Sequence, residues 1–449
     1  MSSPLLRILP SPLRPVALAL TLLLAAGGAQ AQSLSALYDA ARAYDATYLA
    51  ARSLADSAQY RAAQADALRL PSAALTGSAS KAETNAPGGN STSLDNQTLS
   101  LDGSFPLYNK TNAATISQAE RALELSKADL EAAEQDLIVR VAQAYFDVLA
   151  ATDTLAAALT GKRFINEQLA SAKRNFEVGT ATITDTREAQ ARFDLATARE
   201  LVADNDLRTK RTVLDQLVGR SAVAPKGLAL PVKLPPVVPA TADEWVNAAA
   251  ERHPTIRRAR LGQDVARLET EKARAGHLPT LSMVGRLQGS NSHGSAITDA
   301  FGRPGTSRTA SVGLQFNLPL FAGYSVQNRV KETLVLEDKA RNDLDAARRG
   351  VALGTRSAFL GVQSLQAQVS ALEAAESSTK LALEATQLGY KVGVRVNLDV
   401  LNAQSQLVDT QRDLAKARYD VIVTALKLRQ ASGLLQPQDV KALDTLLLP

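Results

Sequence analysis

Two hydrophobic periods succeed one another along the chain, and they do so twice. Ala-rich runs with helical spacing predict a helix over roughly 34–69 and another over 242–277, ending before Pro71 and Pro279. Two stretches follow in each half in which apolar and polar residues alternate, the signature of strands. A long helical run comes next, at about 112–175 and 325–389, then a Val-Gly break and a second long helix. A run of ~65 residues spans about 100 Å at ~1.5 Å per residue, more than a compact domain needs. In the second half Leu344, Ala347, Val351, Ala358, Val362, Leu365, Val369 and Leu372 recur at three- and four-residue steps, which predicts a coiled-coil seam.

The order is duplicated. At an offset of 208, Leu37–Pro71 lies over Trp245–Pro279; at 213, "SFPLY" lies over "NLPLF"; at 214, Ala144–Gly219 lies over Ala358–Gly433 without a gap. The last alignment matches Gly179 with Gly393, Asp185 with Asp399 and Gln190 with Gln404. Identities are few but the punctuation is collinear, as expected of an internal structural repeat. The predicted division is a targeting segment (1–31), a first repeat (32–223), a Pro-rich linker (224–241), a second repeat (242–433) and a tail (434–449).

The strands carry the membrane argument. In "TLSLDGSFPLY", Leu99, Leu101, Gly103, Phe105 and Leu107 share one face and Ser100, Asp102 and Ser104 the other. In "TLSMVGRLQGS", Leu281, Met283 and Leu287 oppose Ser282, Arg286 and Gln288; "RTASVGLQFNL" alternates likewise, while the stretch near 72–83 alternates poorly. About ten residues suffice for a tilted strand to cross a bilayer. Four strands with open edges cannot sit in lipid, so closure requires several chains: a dimer would supply about eight strands and a trimer about twelve.

Composition narrows the rest. Arg7 and Arg14, the apolar run "VALALTLLLAA" and the "AQA" at Ala29–Ala31 read as a secretory signal peptide, too short in its apolar part to span a membrane. Removing those two arginines takes the formal charge from +5 to +3, which points to no nucleic-acid partner. The chain has no cysteine, so disulfides, thiol chemistry and an N-terminal lipid anchor are not expected. His253, His277 and His293 are scattered and read as turn or surface residues rather than metal ligands. No nucleophile–base pair, metal cluster or phosphate loop points to an enzyme, a catalytic residue or a cofactor.

Each Val-Gly break is a place where a helix turns back, and Gly179 and Gly393 tolerate the positive φ that such a turn needs. Asp185 and Asp399 fall at or near the start of the returning helix, where free N–H groups and the helix dipole favour a carboxylate by roughly 0.3–1 kcal/mol. That structural role accounts for both acids without any further function.

The segments "AYFDVLAA" (144–151), "FEVGTATITDTREAQARFDL" (176–195), "ARAGHLPTL" (273–281), "VGLQFNLPLFAGY" (312–324) and "GYKVGVRVNLDVLNAQSQL" (389–407) resemble the TolC family of outer-membrane efflux and secretion ducts. The resemblance covers essentially the whole chain after the signal segment. It implies an α+β membrane protein in the outer membrane: antiparallel coiled-coil hairpins form an α-barrel in the periplasm, and four transmembrane strands per chain close as a 12-stranded β-barrel in a homotrimer. It implies passive conduction of cargo, type I secretion or efflux, from an inner-membrane ABC or RND-type transporter through a periplasmic adaptor (membrane fusion) protein. The linker and tail would form a belt around the helices.

The same resemblance gives the hairpin tips a role as a periplasmic gate. Asp399 matches a constriction-ring acid, which in a trimer appears three times around the axis and would attract cations. Tyr390 and Arg395 match residues that latch the second hairpin to the first, with Thr184 and Asp185 as partners. The family pattern places a second ring acid three residues on; here that position is Asn402, and its first-half equivalent is Glu188. Two other classes remain: a periplasmic adaptor, which would need a β-rich body beside one hairpin, and a structural coiled-coil envelope protein, which would carry no alternating strands.

Overall fold

In a computed structural model of the chain, the residues described are 32–448 except 86, 88–90, 181, 230–235 and 296–304. The signal segment and part of the Pro-rich linker therefore lie outside the described residues. The elements run α1 (Leu34–Tyr44), α2 (Ala46–Asp66), β1 (Ser72–Thr84), β2 (Thr92–Tyr108), α3 (Lys110–Glu177) and α4 (Ile183–Val218). The second half repeats them as α5 (Ala242–Arg252), α6 (Pro254–Ala275), β3 (Thr280–Gly294), β4 (Gly305–Asn317), α7 (Ser325–Lys391) and α8 (Asn397–Ala431), followed by α9 (Pro437–Asp444).

The first helix of each half is broken in two, where the Ala-rich pattern had suggested one. At Asp45 the carboxylate accepts from Tyr48 N at 2.8 Å and starts a new helix as its N-cap. The matching break is at His253, which the following Pro254 holds out of the helical region; its Nδ1 accepts from Thr255 N at 3.1 Å. Burial lowers the pKa of His253, so the imidazole is neutral at neutral pH and able to accept.

The four strands form one antiparallel sheet in the order β1-β2-β3-β4, so β1 and β4 are both open edges. The register aligns Leu75, Leu101, Leu287 and Ala310 in one row and Ala74, Asp102, Arg286 and Ser311 in the next, on the opposite face. The alternation read from sequence holds with one change. The register shifts between Pro106 and Tyr108, so Tyr108 rather than Leu107 joins the apolar face opposite Leu281. Ser100 is 8% exposed and Leu75 69% exposed, so the polar face is the concave one.

The helices form a strip. α3 packs with α2 and α4 along one side and with α6 and α8 along the other; α7 packs beyond α6 and α8. The coiled-coil seam read on α7 is observed: Leu344, Val362 and Val369 are buried, joined by Thr355 and Phe359. One face of α3, with Leu137, Ile138, Val141, Tyr145 and Val148, is covered by α1, the linker and the tail. Linker and tail pair through Leu228 and Leu447, and Leu448 N donates to Gly227 O at 2.8 Å. The arginine of α3 nearest this belt, Arg140, donates two bonds of 3.0 Å to Asp45.

Candidate functional site: the paired hairpin tips

Both tips close by the same hydrogen bonds. Gly179 N donates to Phe176 O at 3.0 Å and Thr180 N to Asn175 O at 2.8 Å; Gly393 N donates to Tyr390 O at 3.1 Å and Val394 N to Gly389 O at 2.9 Å. This is a Schellman turn, in which the residue after the C-cap, here Val178 or Val392, must be left-handed. Gly179 has φ +80° and Gly393 φ +77°, and a Cβ at either would meet nothing within 4 Å. Glycine is there for its conformation, not for space.

The two acids beside these turns are in different chemical situations. Asp185 is engaged in a capping box: its Oδ2 accepts from Thr182 N at 2.9 Å and Thr182 Oγ1 at 2.7 Å, and its own N–H donates to Thr182 Oγ1 at 3.2 Å. Hydrogen bonds from the Thr182 hydroxyl and N–H hold its carboxyl below the usual carboxylate range. Asp399 has no such cap. Its helix starts at Val396, which has no side-chain acceptor, and the carboxylate has Arg395 as its neighbour at 3.6 Å. The T-x-x-D spacing that marks the first cap was visible in "TITD"; "VNLD" lacks it.

The remaining residues singled out from sequence are placed as follows. Thr184 and Asn402 are exposed, and Glu188 is half-buried with Arg192 at 3.5 Å. Tyr390 packs against Leu383, Val400 and Leu407, and its hydroxyl accepts from Asn175 Nδ2 at 3.5 Å. Phe176, its first-half equivalent, is exposed. The Arg395 side chain lies over Gly389, where a Cβ would come within 2.8 Å of Arg395 Cγ. Among the described residues no hydrogen bond or ion pair within the chain joins Arg395 or Tyr390 to Asp185 or Thr184.

Sequence reading missed the bonds that join one hairpin to the other. Tyr419 donates to Asp153 Oδ2 at 2.6 Å and Lys427 Nζ to Gln143 Oε1 at 2.9 Å, both high on the α3–α8 seam. Below them the seam is apolar, with Leu401 against Ile165 and Ala196, until the Asn175–Tyr390 bond at the tip. On the side of α3 away from the belt, a groove of about 670 Å³ runs between α4 and α8 over Thr154, Ala158 and Gly161, rimmed by Arg199, Asp206, Asp409 and Arg412.

A strip of long helices on a small sheet, duplicated and ending in two matched tips, has known counterparts. The family model described as "Outer membrane efflux protein" matches residues 37–220 and 245–434. The chain belongs to this family. It is 30% identical over 412 residues to the outer membrane protein TolC of Vibrio cholerae, covering 91% of this chain and 92% of that one. It is 31% identical to the alkaline protease secretion protein AprF of Pseudomonas aeruginosa, over 77% of this chain and 70% of that one. Among solved structures, the outer membrane protein VceC of Vibrio cholerae superposes with a TM-score of 0.75 at 20% identity, covering 89% of this chain and 96% of that one. The family is one of outer-membrane channel proteins, and its fold is mostly helical with a small sheet, as found here. No helix among the described residues is long and apolar enough to cross a membrane.

Proposed function

We propose that three copies of the chain close into one duct, with a 12-stranded barrel in the outer membrane continuing into a helical barrel through the periplasm. The observation that carries this reading is that the protomer is open on the same two sides at both levels. β1 and β4 are unpaired edges, and the helix that leads into β1 (α2) and the helix that follows β4 (α7) are the lateral helices of the strip. α7, and α4, which packs on the same flank of α3 as α2, also present leucines outward: Leu353, Leu360, Leu381 and Leu388 on α7, Leu195 and Leu201 on α4. A sheet with free edges and a convex apolar face is stable in a bilayer only once its edges are paired.

In this assembly the belt-covered face of α3 is outside and the groove beside α4 and α8 lines the passage. The duct takes cargo from an inner-membrane ABC or RND-type transporter through a periplasmic adaptor, and the energy comes from that transporter. The tips form its periplasmic gate. Gly179 and Gly393 turn the hairpins, and Asp399 supplies the constriction ring. Arg395 and Tyr390 latch onto Asp185 and Thr184 between hairpins. The Oδ1 of Asp185 is left by the capping box to accept such a bond. With Asn402 in place of a second ring acid, Glu188 contributes the other carboxylates of the entrance.

The test uses the absence of native cysteine. β1 and β4 are three strand spacings apart in one sheet, about 14 Å, too far for a disulfide within a chain. Ala73→Cys combined in turn with Ala310→Cys and Val312→Cys, oxidised in isolated outer membranes, should give covalent dimers and trimers and nothing larger. Monomer alone from every pair, or recovery of the protein in the soluble periplasmic fraction, refutes the duct.

A further inference from the structure

We propose that Arg286, seated on Asp102, forms a cationic ring half-way up the barrel that makes the exit passage selective for carboxylate-bearing cargo. The inference rests on the closed barrel described above. Among the described strand residues, the concave face carries Ser, Thr, Asn, Gln, Ala, Gly, Val, Leu and Pro and one charged pair, Asp102 and Arg286, directly opposite one another on β2 and β3. Their row lies between the Leu101–Leu287 row and the Gly103–Gly285 row of the convex face. Those rows are in the middle of an apolar band that runs from Phe316 up to the Leu99 row, where Arg308 marks its upper rim, and above which the convex face turns polar at Gln97 and Asn291. The pair is therefore at the depth of the bilayer centre, where a charge is tolerated only if it faces water.

The two partners of the pair are not equally presented. Asp102 is the less exposed and the more bonded of the two: it accepts from Arg286 Nε, from Ser100 Oγ at 3.0 Å and from Thr76 Oγ1 at 3.5 Å, while Thr76 and Ser100 bond each other at 2.7 Å. Its side chain is 32% exposed and that of Arg286 58%. Arg286 spends only Nε on the pair, and its terminal nitrogens make no other hydrogen bond among the described residues. The outer edge of the guanidinium, the fork that binds carboxylates bidentately, is thus turned to the passage. As a fastening for the strands the pair is worth little, since exposed cross-strand ion pairs contribute about 0.2–1 kcal/mol. Three copies around an axis place three such forks in one ring, the arrangement that sets anion preference in pores.

The test is single-channel recording in planar bilayers, with citrate added on the side of the strand-connecting loops, which keeps the tip gate out of the measurement. Trimer mobility on a gel checks assembly of each variant. Wild type should be blocked in a voltage-dependent manner. Arg286→Gln should raise the half-blocking concentration at least about tenfold, Arg286→Lys should retain block, and Asp102→Asn should strengthen it by about threefold or more by removing the compensating charge. Equal block in Arg286→Gln and wild type overturns the ring. If Arg286→Gln does not assemble, weaker or unchanged block in Asp102→Asn overturns it instead. A wild type that forms no conducting pore at all refutes the duct reading itself, a result distinct from a pore that conducts without block.

Discussion

Replacing Arg395 by serine separates folding from gating. Within one chain the guanidinium stands 3.6 Å from Asp399, with side chains 62% and 36% exposed. Arg395 precedes the N-cap Val396 and both side chains are solvated, so this contact contributes a few tenths of a kcal/mol at most. The side chain also covers Gly389, which adds a similar amount. Together they sum to less than about 1 kcal/mol, and for a chain of this size the Tm should fall by under about 2 °C. The gate predicts something larger. If each inter-hairpin contact of Arg395 is worth about 1 kcal/mol, its loss in three copies shifts the closed–open ratio by about 3 kcal/mol, more than a hundredfold. The assay pairs thermal unfolding with single-channel conductance on one preparation, for Arg395→Ser alone and with Tyr390→Phe. Conductance should rise sharply while Tm barely moves. Unchanged conductance refutes the latch, and a Tm loss as large as that of a core substitution refutes the in-chain accounting.

Three more outcomes follow from the same geometry. Block by a trivalent cation from the periplasmic side should be clearly weakened by Asp399→Ala and further by adding Glu188→Gln; equal block in all would remove both from the entrance. Gly393→Ala should cost only about 1–2 kcal/mol for its left-handed backbone, whereas at Gly219, φ +70°, a Cβ would also run into the Tyr44 ring. Gly219→Ala should therefore fail to assemble at growth temperature, with partial rescue by Tyr44→Ala, as read by trimer yield. Asp45→Ala removes both a helix cap and the partner of Arg140, costing about 2 kcal/mol, while Asp45→Asn keeps the cap and loses less. Hydrogen bonds from Arg140 hold the Asp45 carboxyl below its ordinary range, so its stabilisation is full above the unfolded pKa and is lost as pH falls through the lower folded value. Acid unfolding of wild type, but not of Asp45→Asn, should show that component.

Much of this architecture was legible because period and punctuation are local properties. The seam on α7, the alternation of β3 and β4 and the two glycine turns all follow from residues within a few positions of each other. Pro254 was equally local: it forbids a continuous helix over 242–277, yet the Ala-rich pattern on both sides masked it. Other features needed three dimensions. Nothing near Tyr419 in sequence names Asp153, which is 266 residues away. The unequal fate of Asp185 and Asp399, matched by the repeat, depends on Thr182 standing where the second half has Val396. The contact of Arg395 with Asp399 rather than with the first hairpin also could not be read from the spacing, because which neighbour a long exposed side chain meets is set by tertiary placement.

The distribution of bonds along the α3–α8 seam makes each hairpin a lever. Its fixed end is high, at Tyr419–Asp153 and Lys427–Gln143, and in the apolar stretch below no hydrogen bond joins α3 to α8 among the described residues. From Tyr419 to Gly393 the helix and turn extend about 40 Å at ~1.5 Å per residue. A tilt of only about 10° at the fixed end would carry the tip through about 7 Å, roughly the width of a peptide chain, on an arm of that length. In the proposed gate, adjustments too small to disturb the core around Tyr145 and Tyr419 would thereby be magnified into the full stroke of the entrance.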